Sequence, residues 1–170
     1  MNNKILFKET QKFKQWWLWL ILIVVTANSM WVTIYEFRSN QGDILEYIVL
    51  PLILLLIPLS IILFILFIKL ETEIKEDGIY VRLFPIHKQF RFYAWEVIEQ
   101  AYVRTYKPLQ EYGGWGLRGF GNNRALNISG KEGFQLIMQD GRKLLIGTQR
   151  PQEIAAVLLL IPEMKNKHHS

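Results

Sequence analysis

Two long apolar runs fill the first part of the chain, and an alternating pattern fills most of the rest. Residues 16–35 and 47–68 carry no charged side chain. As helices rising about 1.5 Å per residue, they reach roughly 30 and 33 Å. That matches the hydrocarbon core of a bilayer, about 30 Å thick. Trp16, Trp17 and Trp19 stand at one end of the first run, with Trp31 and Tyr35 at the other. Such amphipathic rings suit the headgroup level. Asp43 followed by Glu46 reads as a capping box for the second helix, and Pro58 inside that helix predicts a kink. The pattern predicts two transmembrane helices, 16–35 and 47–68, joined by an external loop at 36–46. For the first run, a cleaved signal peptide is the alternative: Lys4, Lys8, Lys12 and Lys14 precede it, and Ala27-Asn28-Ser29 offers small residues. A hairpin buried in a soluble core is the alternative for both.

From residue 69 the period drops to two. Segments 72–76, 79–84, 89–93, 98–106, 124–129, 134–139 and 143–147 read as strands. Asp77-Gly78 and Asp140-Gly141 are hairpin turn signals. Ile79, Val81 and Leu83 share one face, with Tyr80, Arg82 and Phe84 on the other. Residues 111–123 read as a glycine-rich loop. Pro151 and Glu153 open a helix, and Ile154, Val157, Leu158 and Ile161 repeat at helical spacing along it. Pro162 is expected to end it. The predicted fold class is therefore a membrane α-helical hairpin followed by an α+β/all-β domain. That domain, 69–162, is a seven-stranded β-sandwich or open barrel capped by a C-terminal helix, and 163–170 form a polar tail.

The net charge of +5 divides into +3 on 1–15, −2 on 36–46 and +4 on 69–170. Lys and Arg favour the inner side of a membrane. Both termini are therefore expected in the cytoplasm, at a bacterial inner (plasma) membrane crossed more than once. Residues 1–15 are then a cytosolic basic segment. The domain's excess is too mild to imply nucleic acid. No cysteine is present, which excludes disulfides, thiolate metal sites and thiol nucleophiles. The two runs hold no ionisable side chain, and this argues against a transporter or an intramembrane protease. No Ser/His/Asp set, carboxylate pair or metal-ligand spacing stands out, so no catalytic residue, metal or cofactor is expected. His87, in a turn, is expected to be exposed.

Seven short strands closed by one helix is also the order of pleckstrin-homology-like domains. Trp95-Glu96-Val97-Ile98 matches the aromatic-acidic-x-Ile lead-in to the fourth strand of bacterial members. Asp140-Gly141, the strand 143–147 and the helix 151–161 match their ending. Residues 111–118 (EYGGWGLR) and 145–151 (LIGTQRP) are similar to those of an uncharacterised group of small bacterial two-span membrane proteins with a cytosolic PH-like domain. The resemblance implies that fold for 70–162 and that layout for the whole chain; it implies no activity. Phosphoinositide-binding members carry a basic cluster between their first two strands, whereas Lys75-Glu76-Asp77-Gly78 is mostly acidic here.

The glycine-rich segment is the main candidate site. Five glycines between Gly113 and Gly121 permit unusual backbone angles. Trp115 and Phe120 are anchors for a groove or an interface, and Arg118 and Arg124 suit a phosphate or carboxylate. The candidate partner- or lipid-binding residues are Tyr112, Gly113, Gly114, Trp115, Gly116, Arg118, Phe120 and Arg124. The competing reading is architecture, with the loop folded on its own sheet. Arg82, Lys88 and Arg91, together with Lys69 and Lys75, are a second candidate, facing anionic lipid headgroups. The functional expectation is a membrane protein presenting an interaction module to membrane lipids or a protein partner, or self-associating, without catalysis. A small assembly subunit of a larger membrane complex is the alternative, followed by an enzyme with an unrecognised site.

Overall fold

The computed structural model describes residues 4–13, 16–39 and 49–167. The expected capping pair Asp43 and Glu46, and His168 and His169, lie outside them. The chain forms two compact units: residues 14–67, and residues 1–13 together with 68–170.

The first unit holds α1 (Trp16–Ser39) and α2 (Leu50–Phe67), which pack on each other. Their hydroxyls bond back into their own helices: Thr26 to the Leu22 carbonyl (2.7 Å), Ser29 to Val25 (2.9 Å) and Ser60 to Ile57 (2.7 Å). This satisfies each polar group without a partner helix. Among the described residues, only α1, over Trp16–Tyr35, combines the length and apolarity of a membrane span. The apolar stretch of α2, Leu52–Phe67, is shorter, although the helix runs through Pro58.

The second unit is built from two sheets and has nine strands among the described residues, not seven. One sheet has the order β1 (Ile5–Lys12), β2 (Lys69–Lys75), β3 (Gly78–Phe84), β4 (Arg91–Ala94), every neighbour antiparallel. The other has the order β5 (Ile98–Thr105), β8 (Glu132–Met138), β9 (Lys143–Gly147), β7 (Asn123–Asn127), β6 (Gly116–Phe120). Within it β7 and β9 run parallel and the remaining pairs antiparallel. A short helix, α3 (Pro108–Tyr112), precedes β6.

Alternation places Ile79, Val81 and Leu83 of β3 in the core, where they meet Leu70, Ile74, Leu126, Phe134, Leu136 and Ile146. Each fully buried side chain of this size stabilises the fold by about 1.5–3 kcal/mol. Ile154 and Ile161 of α4 (Pro151–Lys167) close this core, and Leu159 and Leu160 stay exposed.

Four further expectations need correction. Residues 1–15 are not a separate basic segment, because β1 pairs with β2 from Ile5↔Lys75 to Lys12↔Lys69. Its buried positions are Phe7, Glu9 and Gln11. Glu9 accepts hydrogen bonds from the Thr148 hydroxyl (2.7 Å) and the Gln149 amide (2.8 Å), and Gln11 donates to the Gly147 carbonyl (2.6 Å). Part of the segment read as a loop is ordered as the end of α3 and as β6. α4 continues through Pro162, where one intrahelical bond is forgone. Finally, His87 is buried at 6% exposure: its amide donates to the Leu83 carbonyl (2.7 Å) and its Nδ1 accepts from the Leu83 amide (3.4 Å). Burial, and then the Arg91 charge, holds its pKa below the usual imidazole value.

Candidate functional site

Pro108 opens α3, and Gly113 ends it in the left-handed conformation (φ 69°). The Gly113 and Gly114 amides donate to the Leu109 and Pro108 carbonyls at 3.0 and 2.9 Å. Asn127, fully buried, then pins the next turn: its Oδ1 accepts from the Gly116 amide (2.9 Å) and its Nδ2 donates to the Tyr106 hydroxyl (3.0 Å). Tyr106, Tyr112, Ala125 and Leu145 make a small second core under α3. Burial pushes the hydroxyl pKa of Tyr106 and Tyr112 up. Arg104 bonds Glu111 at 2.7 Å and holds its carboxyl below the usual range, while Glu111 also accepts from the Lys107 amide (2.7 Å).

The eight candidate residues do not form one site. Tyr112 and Gly114 are buried, Gly116 is half-buried and Gly113 exposed, and the three glycine amides are each taken up in hydrogen bonds within the fold. β6 and β7 form a hairpin in register Leu117↔Leu126 and Gly119↔Arg124. Alternation puts Leu117, Arg124 and Leu126 on one face, with Arg118 and Phe120 on the other. Arg118 folds back to donate to the Trp115 carbonyl (2.8 Å). Phe120, at the tip, is 95% exposed. Gly119 is required where it stands, since a Cβ there would lie 2.1 Å from the Asn123 carbonyl oxygen at a φ of 82°.

Two concavities flank this hairpin. The first is an apolar groove of about 490 Å³, lined by Tyr106, Pro108, Leu109 and Trp115, with Lys107 and Lys131 among its lining residues. Leu109 is 66% exposed there. The second is a cavity of about 330 Å³ on the Arg124 side, and Arg91, Arg142 and Lys143 also line it. The sequence reading missed the last two. Their signal was present beside the Asp140-Gly141 turn, but it has meaning only once β9 lies alongside β7.

The other basic set, on the first sheet, separates in the same way. Lys69 and Arg82 bond Glu71 at 3.0 and 2.5 Å, and Lys8 and Lys75 bond Glu73 at 2.8 and 3.2 Å. Arg82 also lies over the Phe90 ring, 4.6 Å from its centroid. Burial opposes ionisation of both carboxyls, yet the paired cations prevail and leave Glu71 and Glu73 below their usual range. Arg91 has no such partner among the described residues and joins the cavity instead.

No curated protein and no solved structure matches this chain. Residues 2–161 match a family of unknown function, DUF6141. That span takes in β1, both apolar helices, the two sheets and every residue lining the groove and the cavity. The chain therefore belongs to the DUF6141 family of unknown function.

Proposed function

We propose that this chain is a two-span, membrane-anchored interaction module that binds a protein partner without catalysing a reaction. The observation that carries the anchoring is the pairing of Lys12 with Lys69. Everything between these neighbours, including both apolar helices, leaves the sheet and returns to it at one point. A single crossing would place β1 and β2 on opposite sides of the bilayer, so the pairing favours an even number. Cleavage near Ala27-Asn28-Ser29 would detach β1, which speaks against a signal peptide. The positive flanks favour cytoplasmic ends.

Strand order supports the likeness to PH-like domains. With α3, β6 and β7 taken as an insert between β5 and β8, seven strands and a closing helix remain. The insert supplies the docking face. Its groove offers the half-buried Trp115 and the exposed Leu109 beside Lys107 and Lys131, which form no ion pair among the described residues. The matching occupant is an acidic protein segment with an apolar anchor. Buried aromatics and fitted pockets carry most of the energy of such contacts.

Topology is tested by single cysteines introduced into this cysteine-free chain. Lys4→Cys and Lys131→Cys should react with an impermeant maleimide only after cells are opened, and Asp43→Cys before; labelling of Lys4→Cys and Lys131→Cys on opposite sides would refute the two-span reading. The docking face is tested by a photocrosslinking residue at position 109 in cells. One protein should be captured, and Trp115→Ala or Lys131→Glu should cut its yield about tenfold, the loss of one well-packed anchor. An unchanged yield at matched expression would remove the groove from consideration.

A further inference from the structure

The cavity beside Arg124 has a different chemistry from the groove, and no residue lines both. Four cations from separate elements converge on it: Arg91 from β4, Arg124 from β7, Arg142 from the β8–β9 turn and Lys143 from β9. No carboxylate lines it. Arg142 is bonded to Asp140 outside the lining (2.6 Å), whereas Arg91, Arg124 and Lys143 form no ion pair among the described residues. Elsewhere in this unit Lys8, Lys69, Lys75, Arg82, Arg104 and Arg150 each meet a glutamate. Gathering unpaired like charges costs energy unless an anion offsets them.

The surroundings are built. The Lys143 amide donates to the Asn122 carbonyl (2.6 Å) and so ties the tip of the β6–β7 hairpin to the start of β9. Buried Leu126, Met138 and Leu144 form an apolar floor, with Tyr93 beside Arg91. A low-dielectric wall strengthens the attraction between the cations and a bound anion. The volume lies at the small end of ligand pockets, which run from about 300 to 1,000 Å³.

We infer that this cavity binds a phosphoryl group, as a diphosphate or a phosphate monoester with a small organic body. The three unpaired cations, on β4, β7 and β9, suit the several oxygens of a phosphate dianion better than a planar carboxylate, which one arginine fork satisfies. The floor accommodates the organic body. The group has two possible sources, a soluble compound or a lipid headgroup. The inference does not rest on the docking groove, so either can fail alone.

The test uses the full-length protein in neutral-detergent micelles, titrated calorimetrically with pyrophosphate and, separately, with short-chain phosphatidic acid. Saturable binding that falls about tenfold or more in Arg91→Gln/Arg124→Gln, while Arg118→Gln binds as wild type, is the expected result; the factor is that of about one charge-assisted hydrogen bond. Pyrophosphate binding marks a soluble source. Binding of phosphatidic acid alone, with the same dependence on the variants, marks a lipid headgroup. Binding of neither probe, or equal binding by the double variant, overturns the inference. Should the double variant fail to fold, Lys143→Gln decides: weakened binding supports the site and unchanged binding removes it. Loss of phosphate binding with intact capture at position 109 would leave the adaptor reading standing, and the reverse result would leave the cavity standing.

Discussion

Arg82 and Arg91 sit on adjacent strands, and sequence alone gave them the same reading, yet the fold places them in opposite circumstances. Arg82 belongs to a ladder in which Glu71 and Glu73 each bridge two cations across β1, β2 and β3. Arg91 belongs to a cavity whose lining has no acid. The ladder's charges are used up in holding three strands together. Three of the cavity's four charges, Arg91, Arg124 and Lys143, are left over, and only left-over charge is available to a ligand. Clustering of basic residues in sequence is therefore a poor guide to binding; what matters is whether the fold brings carboxylates to them.

The sharpest way to break this comparison is to remove the ladder's acids. Glu71→Ala/Glu73→Ala strips the partners from four cations, three of them part-buried: Lys69, Lys75 and Arg82. A loss of about 2–4 kcal/mol is expected, since an unpaired, partly buried charge costs more than its lost bond. Chemical denaturation at neutral pH measures it, and a loss below about 0.5 kcal/mol would reduce the ladder to ornamental surface pairs. The pH profile carries the same signature. Both carboxyls titrate below their unfolded value, so the unfolded chain binds more protons between the two, and stability rises with pH there. The ladder's contribution is complete above the unfolded pKa, about 4.5, and is lost as pH falls through the lowered folded values. The double variant should show a flatter acid limb.

A smaller effect, of opposite sign, is expected at the cavity. Arg124→Gln relieves repulsion with Arg91 and Lys143, so at low ionic strength the variant should match or exceed the wild type by a few tenths of a kcal/mol. The difference should vanish in about 0.5 M salt, where screening acts over a few ångströms. A variant less stable than wild type at both salt concentrations would make Arg124 a structural residue and dissolve the contrast.

The elements that sequence made legible are those whose burial is carried by apolar side chains at regular spacing. β3 and β9 alternate or run apolar, and α4 presents Ile154, Val157, Leu158 and Ile161 on one stripe. β1 escaped because two of its three buried positions, Glu9 and Gln11, are polar. The Glu9 carboxylate and the Gln11 Nε2 find their partners at Gly147, Thr148 and Gln149, far along the chain, and no local pattern reports that. β6 escaped because glycines at 116 and 119 remove the side chains whose alternation would mark a strand, although Gly119 is there for close strand approach. His87 looked like a turn residue and is one; its burial follows from the turn folding back on Leu83. Of the candidate site, Trp115 and Arg124 were visible individually. Their placement in two separate concavities depends on how distant strands pair, which spacing within one strand does not reveal.

The position of β1 also sets an order of events during synthesis. β1 leaves the ribosome before either apolar helix, while its partner β2 follows both of them. Glu9 must then wait for Thr148, 139 positions later, before its carboxylate is satisfied. The first strand can pair once β2 has been translated, but its buried carboxylate stays unsatisfied until nearly the whole chain has followed. Until β2 emerges, Ile5–Lys12 is an unpaired strand, open to any edge it meets. A chain truncated before Thr148 would still pair its first strand with β2, yet leave the buried Glu9 carboxylate without the two donors that satisfy it.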